Sequence, residues 1–221
     1  MPPDTEGQDS LSVSFIMFIT LDGGDGCGKS TQIQLLAEKL RSQGHEVVCC
    51  RDPGSTPLGD AVRNILLNRQ ELHIADITEV FLFTAARAQL VREVVRPALE
   101  TGKIVLSDRF LLSTFVYQCH AGGVPKNVLE AVSAEAVGNT LPDLGIVLDI
   151  PYEVAVQRVG DRAVPDRMER KGESYHRQVR EGFLKYAAEA ERYVVLNATS
   201  PPSEVADAVW KIVSTALADR S

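Results

Sequence analysis

The segment at residues 23–30, GGDGCGKS, matches the phosphate-binding pattern G-x-x-x-x-G-K-[S/T] in full. It follows an apolar, β-rich run and precedes a helical pattern, which is the context that this motif requires. Glycines let the backbone wind tightly, so that successive N–H groups point at phosphate oxygens. Lys29 adds a positive charge, and the Ser30 hydroxyl is suited to hold Mg²⁺. A glycine-rich turn before a helix is the alternative, but Lys-Ser at the helix start favours a nucleoside triphosphate site. The residues predicted to bind it are Gly23, Gly24, Asp25, Gly26, Cys27, Gly28, Lys29, Ser30 and Thr31.

Five short runs are nearly continuous in apolar residues, as strands buried on both faces should be. They lie at residues 15–21, 46–50, 104–106, 144–150 and 193–196. Helical patterns separate them, including the long region 60–100, which we expect to break near residues 68–74. This alternation predicts an α/β fold of the P-loop NTPase type, with a five-stranded parallel sheet, helices on both faces and a short lid. In such sheets ligands bind at the carboxyl ends of the strands.

The rest of the sequence indicates one domain. Residues 1–12 contain proline, acidic and small polar residues without a basic start, which is typical of a disordered leader rather than a signal peptide. Residues 13–221 are predicted to form a single domain with a lid at about residues 158–170. The net charge of −7 does not favour nucleic acid or an anionic membrane as partners. The four cysteines lack metal-ligand spacing and are interpreted as reduced thiols of a cytoplasmic protein.

Charged side chains follow two of the predicted strands. Asp108 ends the third strand, where a carboxylate would orient Mg²⁺ directly or through water. It also precedes a helical stretch and could cap that helix, and the two roles are compatible. Arg109 follows at once, and Arg51 ends the second strand. Because the planar guanidinium suits oxyanions, both arginines are candidate phosphate ligands.

A second group of arginines lies in the run at residues 157–170, where glycine, proline and charges interrupt a helical pattern. Such a segment buries little apolar surface, which is typical of a mobile lid, although a solvated surface loop is the alternative. Gly26 leaves the phosphate-binding loop without a basic side chain at that position. Positive charge for the transferring phosphoryl group must therefore come from elsewhere, and Arg158 and Arg162 of the lid are the candidates. Arg167 cannot be ranked below them from the sequence.

Five motifs, taken in order, resemble those of thymidylate kinases. They are FITLDGGDGCGKSTQ at residues 18–32, RDPGSTPLG at 51–59, FLFTAAR at 81–87, DRFLLSTFVYQ at 108–118 and DRME at 166–169. The first motif alone is generic, whereas the set of five is specific. The resemblance implies transfer of the γ-phosphoryl group of ATP to thymidine monophosphate, with Mg²⁺ as the cofactor. It also implies a homodimer built on helices such as the one at residues 77–90.

The resemblance further implies a role for each matching residue. Asp25 would accept a hydrogen bond from the sugar 3′-hydroxyl, Phe83 would stack on thymine and Arg87 would donate to its carbonyl. Gln118 would read the remaining edge of the base, and Tyr117 would crowd the place of a 2′-hydroxyl. The implied acceptor-binding residues are Asp25, Arg51, Phe83, Arg87, Arg109, Ser113, Tyr117 and Gln118. The implied catalytic residues are Lys29, Arg109, Arg158 and Arg162, and the implied metal-binding residues are Ser30 and Asp108.

The chain also departs from the family pattern. Asp52 stands where the family usually has Glu, Ser55 replaces a Gly, and Asp22 stands where Glu is frequent. The run CHAGG at residues 119–123 replaces the usual Gly after Tyr-Gln. This last departure bears on substrate preference more than on the reaction type. The competing hypotheses are another P-loop nucleotide or deoxynucleoside kinase, and a nucleotide-dependent switch, which predicts an Asn-Lys-x-Asp motif that the sequence lacks.

Overall fold

The computed structural model describes residues 16–160 and 167–220. Its centre is a five-stranded sheet with the strand order β2-β3-β1-β4-β5, and every neighbouring pair is parallel. The strands are β1 Met17–Asp22, β2 Val47–Arg51, β3 Ile104–Asp108, β4 Leu144–Asp149 and β5 Tyr193–Asn197. This sheet, with helices on both of its faces, confirms the predicted α/β fold.

Helices fill the connections between the strands. They are α1 Lys29–Ser42, α2 Pro57–Leu67, α3 Asp76–Leu90, α4 Arg96–Glu100, α5 Leu111–Thr114, α6 Lys126–Val137, α7 Tyr152–Val159, α8 Gly172–Ala188 and α9 Pro202–Ala218. Two π-helical segments, Val91–Val95 and Phe115–His120, continue α3 and α5, and a 3₁₀ turn, Glu169–Lys171, precedes α8. The break that the sequence predicts near residues 68–74 lies between α2 and α3.

The alternation of side chains along the central strands assigns the helices to two layers. Met17, Ile19 and Leu21 of β1 pack in one cluster with residues of α1 and α9. Phe18, between them in the sequence, packs on the opposite face with the end of α3 and the π-helical segment after it. All six residues of β1 are buried. A strand covered on both sides must be apolar throughout, which explains the continuous pattern seen in the sequence.

The register of the sheet brings the polar strand ends together. Leu21 pairs with Asp108 across β1 and β3, and Asp108 pairs with Arg51 across β3 and β2. The phosphate-binding loop leaves β1 one residue after Asp22. Residues far apart in the chain therefore meet at one edge of the sheet, where α/β folds bind their ligands.

Other sequence predictions concern the termini and the environment of the protein. No helix in residues 16–160 and 167–220 is long and apolar enough to cross a membrane. The cysteines at positions 27, 49, 50 and 119 are free thiols. The leader predicted at residues 1–12 lies outside the described residues, and its disorder, the domain limits and the cytoplasmic location stay predictions.

Candidate active site

The conformation of the phosphate-binding loop depends on its glycines and on Lys29. Gly28 is the N-cap of α1 and has φ 96°, a left-handed conformation that glycine adopts without strain. Lys29 is buried, and its Nζ donates to the carbonyl oxygens of Gly24, at 2.8 Å, and Gly23, at 3.3 Å. The N–H groups at the start of α1 point into the loop, where the helix dipole favours an anion. Lys29 is therefore held on two carbonyl oxygens of the loop.

A pair of oxygen donors lies at the start of α1. The Ser30 hydroxyl donates to Oδ2 of Asp108 across a distance of 3.0 Å. The helix after β3 begins at Leu111 with Phe110 as its N-cap, so Asp108 does not cap that helix. A hydroxyl beside a carboxylate fits Mg²⁺, which prefers oxygen ligands and takes the others from water and phosphate. The described residues contain no cluster of three or more His, Cys, Asp and Glu that could hold a metal on their own.

Arg109 lies at the centre of the polar groups. Its φ of 69° turns the side chain back toward the phosphate-binding loop. One terminal nitrogen donates to the Gly23 carbonyl, at 2.7 Å, and to the Ser113 hydroxyl, at 3.2 Å. The other donates to Oδ1 of Asp25, at 2.6 Å, and to the Tyr117 hydroxyl, at 3.2 Å. The guanidinium therefore links the loop after β1 to the helical segment after β3.

Asp25 is the acidic member of this group. Burial favours its neutral form, but the charges of Arg109 and Lys29 outweigh burial and hold the pKa of Asp25 below its ordinary value. The carboxylate is consequently ionised at neutral pH and can only accept hydrogen bonds. A hydroxyl of a bound ligand is a suitable donor to it.

One cavity is lined by all of the predicted acceptor-binding residues except Arg51. Phe83 and Arg87 come from α3, and Tyr117 and Gln118 come from the π-helical segment Phe115–His120. The Phe83 side chain is only half-buried, so it is not a plain core residue. Wide helical turns of this kind are frequent at functional sites. The cavity therefore offers an aromatic face, a guanidinium and an amide to a single ligand.

Arg87 is anchored beneath that cavity. It is 1% exposed, pairs through Nε with the fully buried carboxylate of Asp52, and donates through Nη2 to the Thr114 hydroxyl. Burial raises the pKa of Asp52, although the charge of Arg87 opposes that shift. The buried Nη1 of Arg87 makes no hydrogen bond with any described residue. A buried donor without a partner is costly, so a ligand carbonyl would relieve that cost.

A larger cleft runs from the phosphate-binding loop to the segment between β5 and α9. Arg51 lines it and contacts Asp60 at 3.2 Å on the surface. Arg158, in the last turn of α7, lines it as well and donates to the carbonyls of Ala198, at 3.0 Å, and Thr199, at 3.1 Å. The cleft shares Asp25, Asp52, Arg63 and Arg109 with the smaller cavity. Ligands in the two cavities would therefore meet at these four residues.

The end of α7 covers the position of Gly26. A Cβ atom built there would lie 2.8 Å from Cγ2 of Val159 and 3.0 Å from the Ala155 carbonyl oxygen. The loop at this position has no room for a side chain, which gives a packing reason for the missing charge. Arg162, the candidate donor of that charge, lies outside the described residues.

Two acidic residues of the site carry no role in the sequence-based interpretation. Glu79 of α3 accepts from Gln118 and pairs with Arg167. Asp22 is fully buried, its pKa is raised by burial, and it accepts a 2.6 Å hydrogen bond from Ser113. Glu79 precedes Phe83 by four residues, so both lie on one face of α3, and this spacing was the available signal.

The departure at residues 119–123 packs against α8 rather than into the acceptor cavity. A Cβ atom at Gly182 would lie 2.8 Å from the His120 ring, so this glycine makes room for the histidine. The His120 ring also meets Tyr186 edge to face, with 6.0 Å between centroids. Cys119 lies 3.6 Å from the Tyr186 hydroxyl. These contacts give the unusual residues a packing role.

Comparisons with known proteins agree with these features. A family model described as thymidylate kinase matches residues 21–209. A thymidylate kinase of Deinococcus radiodurans is 44% identical over 199 residues, which cover 90% of this chain and 96% of that protein. A thymidylate kinase of Trichlorobacter lovleyi is 40% identical over 209 residues, covering 91% and 99%. One from Pseudomonas fluorescens is 43% identical over 202 residues, covering 91% and 96%.

Proposed function

Since the chain belongs to the thymidylate kinase family, we propose that it transfers the γ-phosphoryl group of ATP to thymidine 5′-monophosphate, giving thymidine diphosphate and ADP. The observation that carries this proposal is the single cavity lined by Phe83, Arg87, Tyr117 and Gln118. Asp25 and Arg109 are among the residues that this cavity shares with the larger cleft at the phosphate-binding loop. An acceptor phosphate would face ATP at this place.

The reaction needs no strong base, because the acceptor phosphate is already an anion at neutral pH. Catalysis then consists of positioning the two phosphates and neutralising charge on the transferring group. Lys29 leaves the carbonyls of the loop for the outer phosphates of ATP. Mg²⁺, when bound at Ser30 and Asp108, would neutralise charge on those phosphates. Arg109 and Arg51 would hold the acceptor phosphate from the other side.

The contacts of the acceptor cavity support the roles assigned to its residues. The ionised carboxylate of Asp25 is an acceptor for the 3′-hydroxyl of the sugar. Phe83 presents a half-buried ring for stacking on the base, and Nη1 of Arg87, which has no hydrogen-bond partner among the described residues, would donate to a base carbonyl. Tyr117 would lie beside the sugar, and its ring lies 5.0 Å from the Arg109 guanidinium.

A coupled assay of ADP release tests the proposed function. Thymidine monophosphate should give a kcat/KM at least about tenfold above those of uridine, cytidine, adenosine and guanosine monophosphates and their deoxy counterparts, because each of these lacks the 5-methyl group, the matching base edge or the 2′-deoxy sugar. Removing Mg²⁺ with a chelator should abolish turnover of every acceptor. Equal turnover of a second nucleotide would instead favour the alternative of another P-loop kinase.

We also propose a homodimer built on α3. Ile77 and Phe81, one turn apart, are 41% and 52% exposed on this helix, whereas their neighbour Val80 is buried. Burying such a pair against its copy would remove apolar surface from water on both chains.

Sedimentation velocity tests the dimer. The wild-type chain should sediment as a dimer, and Phe81→Glu should shift it to the monomer, because two carboxylates would face each other across the contact. Leu141→Glu, at a residue 41% exposed and outside α3, is the matched control and should stay dimeric. A wild-type monomer, or a Phe81→Glu variant that stays dimeric, would contradict this interface.

A further inference from the structure

Glu79 connects the acceptor cavity to Arg167, at the end of the predicted lid. It is 3% exposed, and both of its carboxylate oxygens are engaged. Oε1 accepts from Nε2 of Gln118 at 2.7 Å, and Oε2 pairs with the Arg167 guanidinium. Arg167 is itself fixed, because its Nε donates to the Leu66 carbonyl at 2.8 Å. A buried charge with this many partners is held in one position.

The Glu79 carboxylate fixes the orientation of the Gln118 amide. An ionised carboxylate accepts hydrogen bonds and cannot donate, so only the NH₂ end of the amide can face Glu79. The carbonyl Oε1 of Gln118 must then point the other way. No described residue donates to that oxygen, and Gln118 lines the same cavity as Phe83 and Arg87. The cavity therefore has a hydrogen-bond acceptor, Oε1 of Gln118, to which a ligand can donate.

Gln118 and Arg87 together form a recognition pattern. Arg87 and Gln118 both line the cavity, and each keeps a group without a hydrogen-bond partner among the described residues: the donor Nη1 of Arg87 and the acceptor Oε1 of Gln118. A pyrimidine with a carbonyl at position 4 and an N–H at position 3 complements this pair. A 4-amino pyrimidine has the opposite pattern at both positions, so it would leave buried groups of the protein without partners.

We propose that Glu79 is a specificity-determining positioning residue, which fixes the Gln118 amide so that the enzyme selects 4-oxo over 4-amino pyrimidine monophosphates. The inference rests on the proposed function. Arg167 supports the same arrangement by occupying the second carboxylate oxygen of Glu79, which leaves Oε1 for the Gln118 amide. Residues of α2, α3, the π-helical segment and the end of the predicted lid thus define one face of the base pocket.

The test compares two acceptors of nearly equal shape. 5-Methyl-2′-deoxycytidine monophosphate keeps the methyl group and sugar of thymidine monophosphate but has a 4-amino group and no N–H at position 3. In Glu79→Gln the new amide can donate to Oε1 of Gln118, so the Gln118 amide is free to turn over. The ratio of kcat/KM for the two acceptors should fall about tenfold, equivalent to one net hydrogen bond. A merely structural role for Glu79 would lower both rates and leave their ratio unchanged.

Two further variants keep the test decisive. Arg167→Lys retains a positive charge beside Glu79 and should keep the wild-type ratio, whereas Gln118→Met removes the amide and should lower the ratio as Glu79→Gln does. In the Gln118→Met background, Glu79→Gln should add no further loss. If Glu79→Gln does not fold, as judged by thermal unfolding, the other two variants carry the test. Gln118→Met should then lower the ratio, and Arg167→Lys should keep it.

The outcomes separate this inference from the proposed function. A wild-type enzyme without preference for thymidine monophosphate would overturn the proposed function and the inference with it. A wild-type preference that survives in folded Glu79→Gln, or in Gln118→Met, would overturn the role of Glu79 alone. An Arg167→Lys variant that loses the preference as fully as Glu79→Gln would also overturn the role of Glu79. The preference would then depend on how Arg167 anchors the end of the predicted lid.

Discussion

Arg162→Ala is expected to lower kcat about 10³-fold while changing the KM of the acceptor by less than about threefold. In the proposed reaction Lys29 and Arg109 hold the phosphates of the two substrates, and Arg167 pairs with Glu79. Because α7 covers Gly26, that loop position cannot supply a charge. We therefore expect a lid arginine to meet the charge that develops on the transferring phosphoryl group, so its loss should act mainly on the transition state.

Pre-steady-state and steady-state measurements of phosphoryl transfer check this prediction. Arg158→Ala should raise the KM of ATP more than it lowers kcat, because Arg158 is held on the carbonyls of residues 198 and 199 at the far side of the cleft. Arg177→Ala removes an exposed arginine of α8 that pairs with Glu153 and Glu173, so it controls for the loss of one positive charge. An unchanged kcat in Arg162→Ala, with a collapse in Arg158→Ala, would move the catalytic role to Arg158.

Local patterns allowed the strands and the phosphate-binding loop to be predicted. The apolar runs of the second and third strands end at residues 50 and 106, and the polar residues Arg51 and Asp108 were predicted to end these strands, as they do. A polar residue stops an apolar pattern, yet parallel pairing continues through it because the backbone forms the ladder whatever the side chain. Arg51 and Asp108 are paired neighbours in the sheet. The strand order likewise depends on contacts distant in sequence, which periodicity does not contain.

The same limit explains which parts of the candidate site could be predicted. The loop at residues 23–30 is continuous in sequence, so its glycines and Lys29 are sufficient to predict a phosphate site. The Glu79–Arg167 pair joins residues 88 positions apart, and no sequence pattern links the two side chains before the fold brings them together. Gln118 was assigned to the base pocket through a resemblance, but the direction of its amide follows only from the buried carboxylate beside it.

Arg87→Met is expected to act on stability and on acceptor binding by separate routes. It leaves the fully buried carboxylate of Asp52 without its partner, which should lower the free energy of unfolding by about 3–5 kcal/mol. It also removes the donor at the base pocket, so kcat/KM for thymidine monophosphate should fall about 10²-fold through the KM. Chemical denaturation and acceptor kinetics measure the two effects independently.

The pH dependence of the stability loss identifies its cause. Burial raises the pKa of Asp52 in the folded state, and removing Arg87 takes away the charge that opposes this rise. The folded variant then keeps the proton to a higher pH than the unfolded chain does. Its stability consequently falls as pH rises above the ordinary aspartate pKa, and the deficit relative to wild type narrows toward acid pH. A deficit that is constant with pH would point to lost packing instead.

A double variant separates the two routes. The double variant Asp52→Asn, Arg87→Met leaves no charge at the positions of this buried pair, so most of the stability should return. The KM for thymidine monophosphate should stay high. Arg92→Met, at an exposed arginine of the π-helical segment after α3, should change neither quantity. Recovery of acceptor binding together with stability would show that Arg87 only supports the fold and makes no contact with the base. Loss of binding in a restabilised protein would assign to Arg87 the hydrogen bond for which its Nη1 lacks a partner among the described residues.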